Sequence, residues 1–165
     1  MSIRLAENAD LPAILKIYNQ AVRAGQCTAH TSQLTLEDMS AWFAEHSAEK
    51  YPVYVYQEEG SVLAYSSVSV YRRGRSALRY TAEISFYVDF AHHRNGIASR
   101  LIEHVLAQCT HLRIKNLFAI IMENNKSSID LLKSFDFSEW AHLPRVADYD
   151  GIELGQVYYG RRIDI

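Results

Sequence analysis

Cysteine is scarce in this chain of 165 residues, and the two present, Cys27 and Cys109, have the spacing of neither a zinc site nor a redox pair. Both are read as reduced thiols, with Cys109 on the apolar face of a helix. No apolar run approaches the roughly 20 residues that span a bilayer, and Met1-Ser2-Ile3-Arg4-Leu5 lacks the apolar stretch of a secretory signal. A cytoplasmic protein without a membrane partner is expected. Charge of one sign is not in excess: 17 Lys and Arg against 19 Asp and Glu leave −2, so no global field draws the chain to nucleic acid. Repeats, linkers and low-complexity tracts are missing, which points to one domain over 1–165, long enough to bury a core unaided. G-x-x-x-x-G-K-[ST], G-x-G-x-x-G and H-E-x-x-H are all absent, excluding a P-loop, a dinucleotide fingerprint and a zincin motif.

What the chain does have is a clear alternation of strand and helix periods. Residues 2–6 read as a strand, followed by Asn8 or Asp10 as N-cap and Pro12 in the first turn of a helix whose apolar face is Leu11, Ile14, Leu15, Tyr18 and Val22. Residues 25–34 are a polar loop. Thr35 and Asp38 form a capping-box start to a second helix with Met39, Trp42, Phe43 and His46 on one side. A hairpin follows, broken at Glu59-Gly60, then a basic loop at 72–76 and a strand from near Tyr80. Ile97, Leu101, Ile102, Val105, Leu106 and Cys109 recur at helical spacing, and 117–122 is a continuous apolar run of the kind found in buried strands. A short helix at 126–135 and strands at about 137–143 and 152–160 close the chain. The order is βααβββαβαββ, a mixed α/β (α+β) sandwich rather than a regular Rossmann alternation.

The junction His93-Arg94-Asn95-Gly96-Ile97-Ala98 carries the strongest chemical signal. Ile84, Phe86 and Val88 alternate with Glu83, Ser85 and Tyr87 in the strand before it, so the chain runs from a strand into a helix N-terminus. There the unpaired N–H groups and the helix dipole favour an anion, and Gly96 has no Cβ to hold a ligand off. A lone glycine at such a turn also serves a plain β-to-α connection. His92-His93 invites a metal, but adjacent residues point apart and no third ligand lies at i+4, so none is expected. The many tyrosines read as sheet packing.

His93-x-x-Gly96-x-Ala98 resembles the [Q/R]-x-x-G-x-[G/A] motif of the GNAT superfamily of N-acetyltransferases. The likeness runs through nearly the whole chain: Asp10-Leu11-Pro12-Ala13-Ile14-Leu15, Ile17-Tyr18-Asn19, Thr35-Leu36-Glu37, Ala41-Trp42-Phe43, Tyr51-Pro52-Val53, Thr81-x-Glu83, Tyr87-Val88 and Asn125-x-x-Ser128-Ile129-x-Leu131. These segments are similar to the phosphinothricin and methionine sulfoximine acetyltransferase branch. The resemblance implies the GNAT fold, a mixed, mostly antiparallel central sheet with helices on both faces. It implies acetyl-CoA as cosubstrate and direct transfer to a primary amine of a small, amino-acid-like molecule. Backbone groups of Phe86, Tyr87 and Val88 would meet the pantetheine arm as an added strand. His93, Arg94, Asn95, Gly96, Ile97, Ala98 and Ser99 would hold the pyrophosphate, with Asn125 and Ser128 reaching from the far side. Val88 N–H would receive the oxyanion, and Glu83 would take the proton of the amine or bind it. Similar proteins often pair as homodimers.

Several positions depart from that family pattern. His93 stands where Gln or Arg is usual, which makes phosphate binding pH-sensitive. Leu132 replaces the Tyr or His that protonates the departing thiolate, although a thiol of pKa near 8.5 leaves without a strong acid. Asp136 replaces a glycine in a turn still open to Asp. Arg72, Arg73, Arg75 and Arg79 form the one basic cluster, from which Arg72 and Arg75 are expected to hold acidic groups of the substrate. His30 is expected in the acceptor pocket. Arg145 survives in a closing region that otherwise loses the likeness, and both cysteines lie far from the thioester site in sequence, so no covalent acetyl-enzyme is suggested. The rival readings are an acceptor of another kind (polyamine, antibiotic or protein N-terminus) and an acyl-CoA-binding sensor.

Overall fold

The computed structural model describes residues 1–164, and its element order is the one read from the periodicities. β1 (Ser2–Leu5) leads into α1 (Leu11–Ala24) and α2 (Leu36–Ala44); β2 (Val53–Glu58), β3 (Ser61–Val70) and β4 (Thr81–Val88) follow. α3 (Ile97–Gln108), β5 (Asn116–Met122), α4 (Lys126–Ser134), β6 (Ser138–Tyr149) and β7 (Ile152–Arg162) complete the chain. No helix among the described residues is long and apolar enough to cross a membrane.

Local chemistry sets the helix ends. At α2, Asp38 N–H donates to Thr35 Oγ1 at 3.2 Å while Thr35 N–H donates to Asp38 Oδ2 at 2.8 Å, the reciprocal box expected. α1 starts differently. Asp10 occupies its N-cap position, but the Asp10 carboxylate accepts from Arg4 at 2.7 and 2.9 Å and from Glu7 N–H at 2.8 Å. The Arg4 guanidinium holds that carboxyl below its ordinary value, so Asp10 ties β1 to α1 instead of capping the helix.

The sheet order is β1-β2-β3-β4-β5-β7-β6, and every pairing is antiparallel except β4 with β5. Strand alternation divides the core between the two faces. Val53, Val55 and Tyr65 pack under α1 and α2 with Ile14, Ile17 and Met39. Tyr54, Ala64, Val68 and Ile84 pack under α3 and α4 with Leu101, Val105, Cys109 and Leu132. The expected mixed sheet with helices on both faces is the fold observed.

The consequential irregularity lies between the parallel strands. They pair only at Thr81↔Asn116, Ala82↔Leu117 and Glu83↔Phe118; beyond Glu83, β4 continues to Val88 and β5 to Met122 without a ladder between them. The sheet therefore opens into a wedge at its middle. β5 remains paired on its other side, with β7, along its whole length.

β6 is longer than the 137–143 expected. It continues through Pro144 to Tyr149, with a register shift between Leu143 and Ala147 and Arg145 at φ +55°. Proline cannot donate to a ladder, but β6 is an edge strand and a bulge absorbs the defect; the alternation lost there hides the second half of the strand. Asp136 adopts φ +60° between α4 and β6, so the aspartate makes the left-handed turn usual for glycine.

Candidate active site

The wedge leaves backbone groups of β4 without strand partners. Asp89 N–H donates to Leu63 O at 2.8 Å, and the register pairs Tyr65 with Tyr87 and Ala64 with Val88. Hydrogen-bonded pairs alternate along an antiparallel ladder, so Glu83, Ser85 and Tyr87 direct their N–H and C=O toward β3, while Phe86 and Val88 direct theirs into the wedge. The three residues expected to meet a cosubstrate thus divide: two present backbone donors to the gap, and Tyr87 presents its side chain.

On the α3 side of the wedge lies a cavity of about 660 Å³ walled by Phe86, Tyr87, Val88, His93, Arg94, Gly96, Ile97, Ala98, Ser99, Asn125 and Ser128. Asn95 sits in the same turn but off the wall. Arg94 at φ +64° and Gly96 at φ +72° bring the chain round to α3, and a Cβ on Gly96 would meet no protein atom within 4 Å. Within the protein, then, it is the left-handed φ that calls for glycine, and the space beyond it is open to a ligand. Asn125 is the N-cap of α4; its Oδ1 accepts from Ser128 N–H at 3.2 Å, leaving its amide nitrogen to face the cavity.

His93 is placed otherwise than as a free phosphate ligand. Its Nε2 lies 3.0 Å from Val88 O, and a carbonyl only accepts, so the proton sits on Nε2. Only Nδ1 is left to reach an anion. The imidazole thus caps the last wedge-facing carbonyl of β4, a contact that needs the folded turn and has no trace in sequence spacing.

On the opposite face a second cavity, of about 610 Å³, is floored by Ser67, Ser69, Glu83 and Ser85 and reaches Ile120, Met122 and Gln156 across the wedge. Tyr18 from α1, Thr28 and His30 from the following loop, Asp38, Met39 and Trp42 from α2, and Tyr65 and Tyr87 enclose it. The rings pack on one another: Tyr18 meets Tyr87 edge-on at 5.0 Å and Tyr65 stacks on Tyr87 at 5.5 Å. Tyr18 Oη lies 2.6 Å from Thr28 Oγ1 and 2.5 Å from His30 Nδ1, which ties His30 into the wall of this cavity. Behind the floor, His46 Nε2 lies 3.2 Å from Ser69 Oγ.

Burial pushes the Glu83 carboxyl up to about 7, where a carboxylate is a useful base at neutral pH. Burial likewise drives the Tyr87 hydroxyl far above its ordinary value, so it stays protonated and available as a donor. Glu83 therefore stands on the face with Ser85 and Tyr87, as strand alternation indicated.

Several residues take places in space that their spacing along the chain did not show. Cys27, remote in sequence and exposed, lines both cavities and shares that position with Tyr87; the protein around its sulfur keeps off some of the water and raises its thiol, which keeps it protonated and a poor nucleophile. Arg72 and Arg75 line neither cavity: Arg72 lies over the Tyr71 ring at 5.5 Å, and the neighbouring Arg73 pairs with Glu45 at 3.4 Å. Arg145 is occupied at the surface by Glu153. Leu132, at the position of the missing acid, is fully buried in the core. The residues that sequence reading missed, Tyr18, Met39, Trp42 and Tyr65, were visible only as apolar helix and strand positions. Among the described residues, no three His, Cys, Asp or Glu side chains gather as a metal site.

The comparisons with known proteins agree on the family. The family model described as Acetyltransferase (GNAT) family matches residues 14–137. A Bacillus subtilis (strain 168) relative that bears the name "Putative phosphinothricin acetyltransferase YwnH" is 37% identical over 99% of both chains. The L-methionine sulfoximine/L-methionine sulfone acetyltransferase of Salmonella typhimurium is 31% identical over 94% of this chain and 88% of its own. A phosphinothricin acetyltransferase from Sinorhizobium meliloti, solved in complex with AcCoA, superposes with a TM-score of 0.91 at 27% identity, over 98% of this chain and 88% of that one.

Proposed function

This chain belongs to the acetyltransferase (GNAT) family, and from that premise we propose that it moves the acetyl group of acetyl-CoA to the primary amine of a small amino-acid-like molecule by direct transfer. The observation that carries the reading is the wedge, with one cavity on each face and Tyr87 common to both. A donor from the α3 side and an acceptor from the α2 side meet there without a covalent enzyme intermediate.

The turn at Arg94–Ser99 suits a pyrophosphate: free helix N-terminal N–H groups and two left-handed residues form a concave anion seat. Asn125 and Ser128 close that seat from α4. The wedge-facing N–H groups of Phe86 and Val88 suit the amide and thioester carbonyls of the extended arm. At about 3.3 Å per residue, Phe86 lies about 10 Å along β4 from Glu83 and Val88 about 17 Å. Phe86 is therefore the better oxyanion donor and Val88 the holder of the arm, which shifts the role first expected of Val88.

Glu83, poised near 7, accepts a proton from the incoming ammonium through water, and the neutral amine attacks the thioester carbonyl. The C–N bond forms and the carbonyl oxygen takes negative charge against Phe86 N–H. As the C=O re-forms, the C–S bond breaks with its electron pair leaving on sulfur, and the excess proton on the new C–N nitrogen passes through water to that sulfur, giving the neutral amide and the free thiol. Tyr87 donates a hydrogen bond to that thiolate, a task Leu132 cannot serve from the core. A cytoplasmic location and pairing of two chains complete the proposal. Following free thiol release from acetyl-CoA with a panel of amines tests it: amine-dependent release supports transfer, whereas tight acetyl-CoA binding without release for any amine favours a sensor.

A further inference from the structure

Glu83 lies beside a hydroxyl that does not serve it. The ladder pairs Ser69 on β3 with Glu83 on β4, and both side chains floor the acceptor cavity, as directly opposed residues with Cβ atoms about 5 Å apart. A hydroxyl donating from there would favour the ionised carboxylate and pull Glu83 down. Burial instead raises it, and among the described residues no donor offsets that rise.

The Ser69 proton is committed elsewhere. His46, half-buried just past the end of α2, has its Nδ1 2.9 Å from Trp42 O. A carbonyl only accepts, so the proton of the neutral ring sits on Nδ1 and Nε2 keeps its lone pair. Ser69 Oγ, 3.2 Å from Nε2, is then the donor of that bond. Its single hydrogen points behind the floor, and only lone pairs remain toward the cavity. The imidazole packs against Trp42 at 4.6 Å, and burial, aided by the charge of Arg73, outweighs the pull of the Trp42 carbonyl and Glu45 and holds it below its ordinary value. The other titratable groups lining the cavity with Glu83 are Tyr18, Cys27, His30, Asp38, Tyr65 and Tyr87. Of these, Asp38 is engaged by Thr35, and Tyr18 and His30 by each other.

We propose that His46 is a positioning residue for acetyl transfer: it turns the Ser69 proton away from Glu83, so that Ser69 offers a lone pair to the incoming ammonium and the carboxylate is left without a donor. This role rests on Glu83 being the base and accounts for how it stays one. An ammonium carries three N–H groups; one meets Glu83 through water, and a second meets Ser69 Oγ.

The pH profile of kcat/KM, followed by thiol release with L-methionine sulfone as the amine, tests this. His46→Phe keeps an aromatic ring against Trp42 but removes the acceptor, so Ser69 turns its hydroxyl to Glu83 and the limb near 7 moves down by about one pH unit. Ser69→Ala leaves that limb in place and raises the amine KM several-fold, because an acceptor for the ammonium is lost. The double variant His46→Phe/Ser69→Ala has the limb of Ser69→Ala, not that of His46→Phe. An unmoved limb in His46→Phe, or the same shift with Ser69 removed, would overturn the role of His46. A limb raised above 7 in Ser69→Ala would overturn it equally, since Ser69 would then donate to Glu83 in the native protein. Glu83→Gln separates this from the reading beneath it: a limb near 7 that survives there removes Glu83 as the base, whereas its loss there with no effect of His46→Phe keeps the base and removes only His46.

Discussion

Glu83→Gln separates catalysis from stability in one side chain. Burial holds the Glu83 carboxyl at about 7 against an ordinary value of 4.5. The folded protein therefore binds more protons than the unfolded chain between those two pH values, and this residue's contribution to stability falls as pH rises through that window and is flat above it. At about 1.4 kcal/mol per pH unit, the charged form costs at most about 3 kcal/mol at pH 8. Gln has no charge to desolvate. The Tm of Glu83→Gln should match wild type near pH 4.5 and exceed it by up to about 6–12 °C at pH 8, using about 2–4 °C per kcal/mol for a chain of this size. In the same variant kcat/KM should drop by about 10²-fold or more, and the rising limb near pH 7 should vanish, leaving only the limb set by the amine itself. A Tm difference independent of pH, or a retained limb near 7, would refute the assignment of a buried base to Glu83.

The other parts of the site make separable demands. His93→Ala frees Val88 O and should lower kcat several-fold more than it raises KM for acetyl-CoA, whereas His93→Gln, which can still donate to that carbonyl, should restore most of the loss; equal defects in both would argue against the contact. Gly96→Ala puts a Cβ at φ +72° and into the open cavity, so unfolding by urea should show a loss of about 1–2 kcal/mol and the acetyl-CoA Kd should rise. Leu132→Tyr, which supplies the acid that the family resemblance implies at this position, overfills a fully buried site and should cost about 1–3 kcal/mol in a denaturation curve without raising kcat.

Much of this architecture was legible because periodicity is a local property. Alternation along 83–88 placed Glu83, Ser85 and Tyr87 on one face, and the Thr35–Asp38 pair marked the start of α2, each from neighbours within a few residues. What spacing did not show depends on how the chain turns and packs in three dimensions. Cys27 lies 60 residues before Tyr87 yet stands beside it at the junction of the cavities. Arg72 and Arg75 have the chemistry to bind an acid but line neither cavity. His93 lines the cavity as expected from its place in the turn, but spacing did not show that its Nε2 is engaged by Val88 O. The second half of β6 was hidden because a proline and a bulge erased the period of two while the ladder with β7 carried on.

The central claim is that the cosubstrate arm completes the sheet in the wedge between β4 and β5. A crystal structure of the protein with acetyl-CoA tests it most directly. The expected result is a thioester oxygen within about 3 Å of Phe86 N, an arm carbonyl on Val88 N–H, and the pyrophosphate on the amides following Gly96. Acetyl-CoA bound elsewhere, with the wedge-facing N–H groups of Phe86 and Val88 still unpaired, would contradict it.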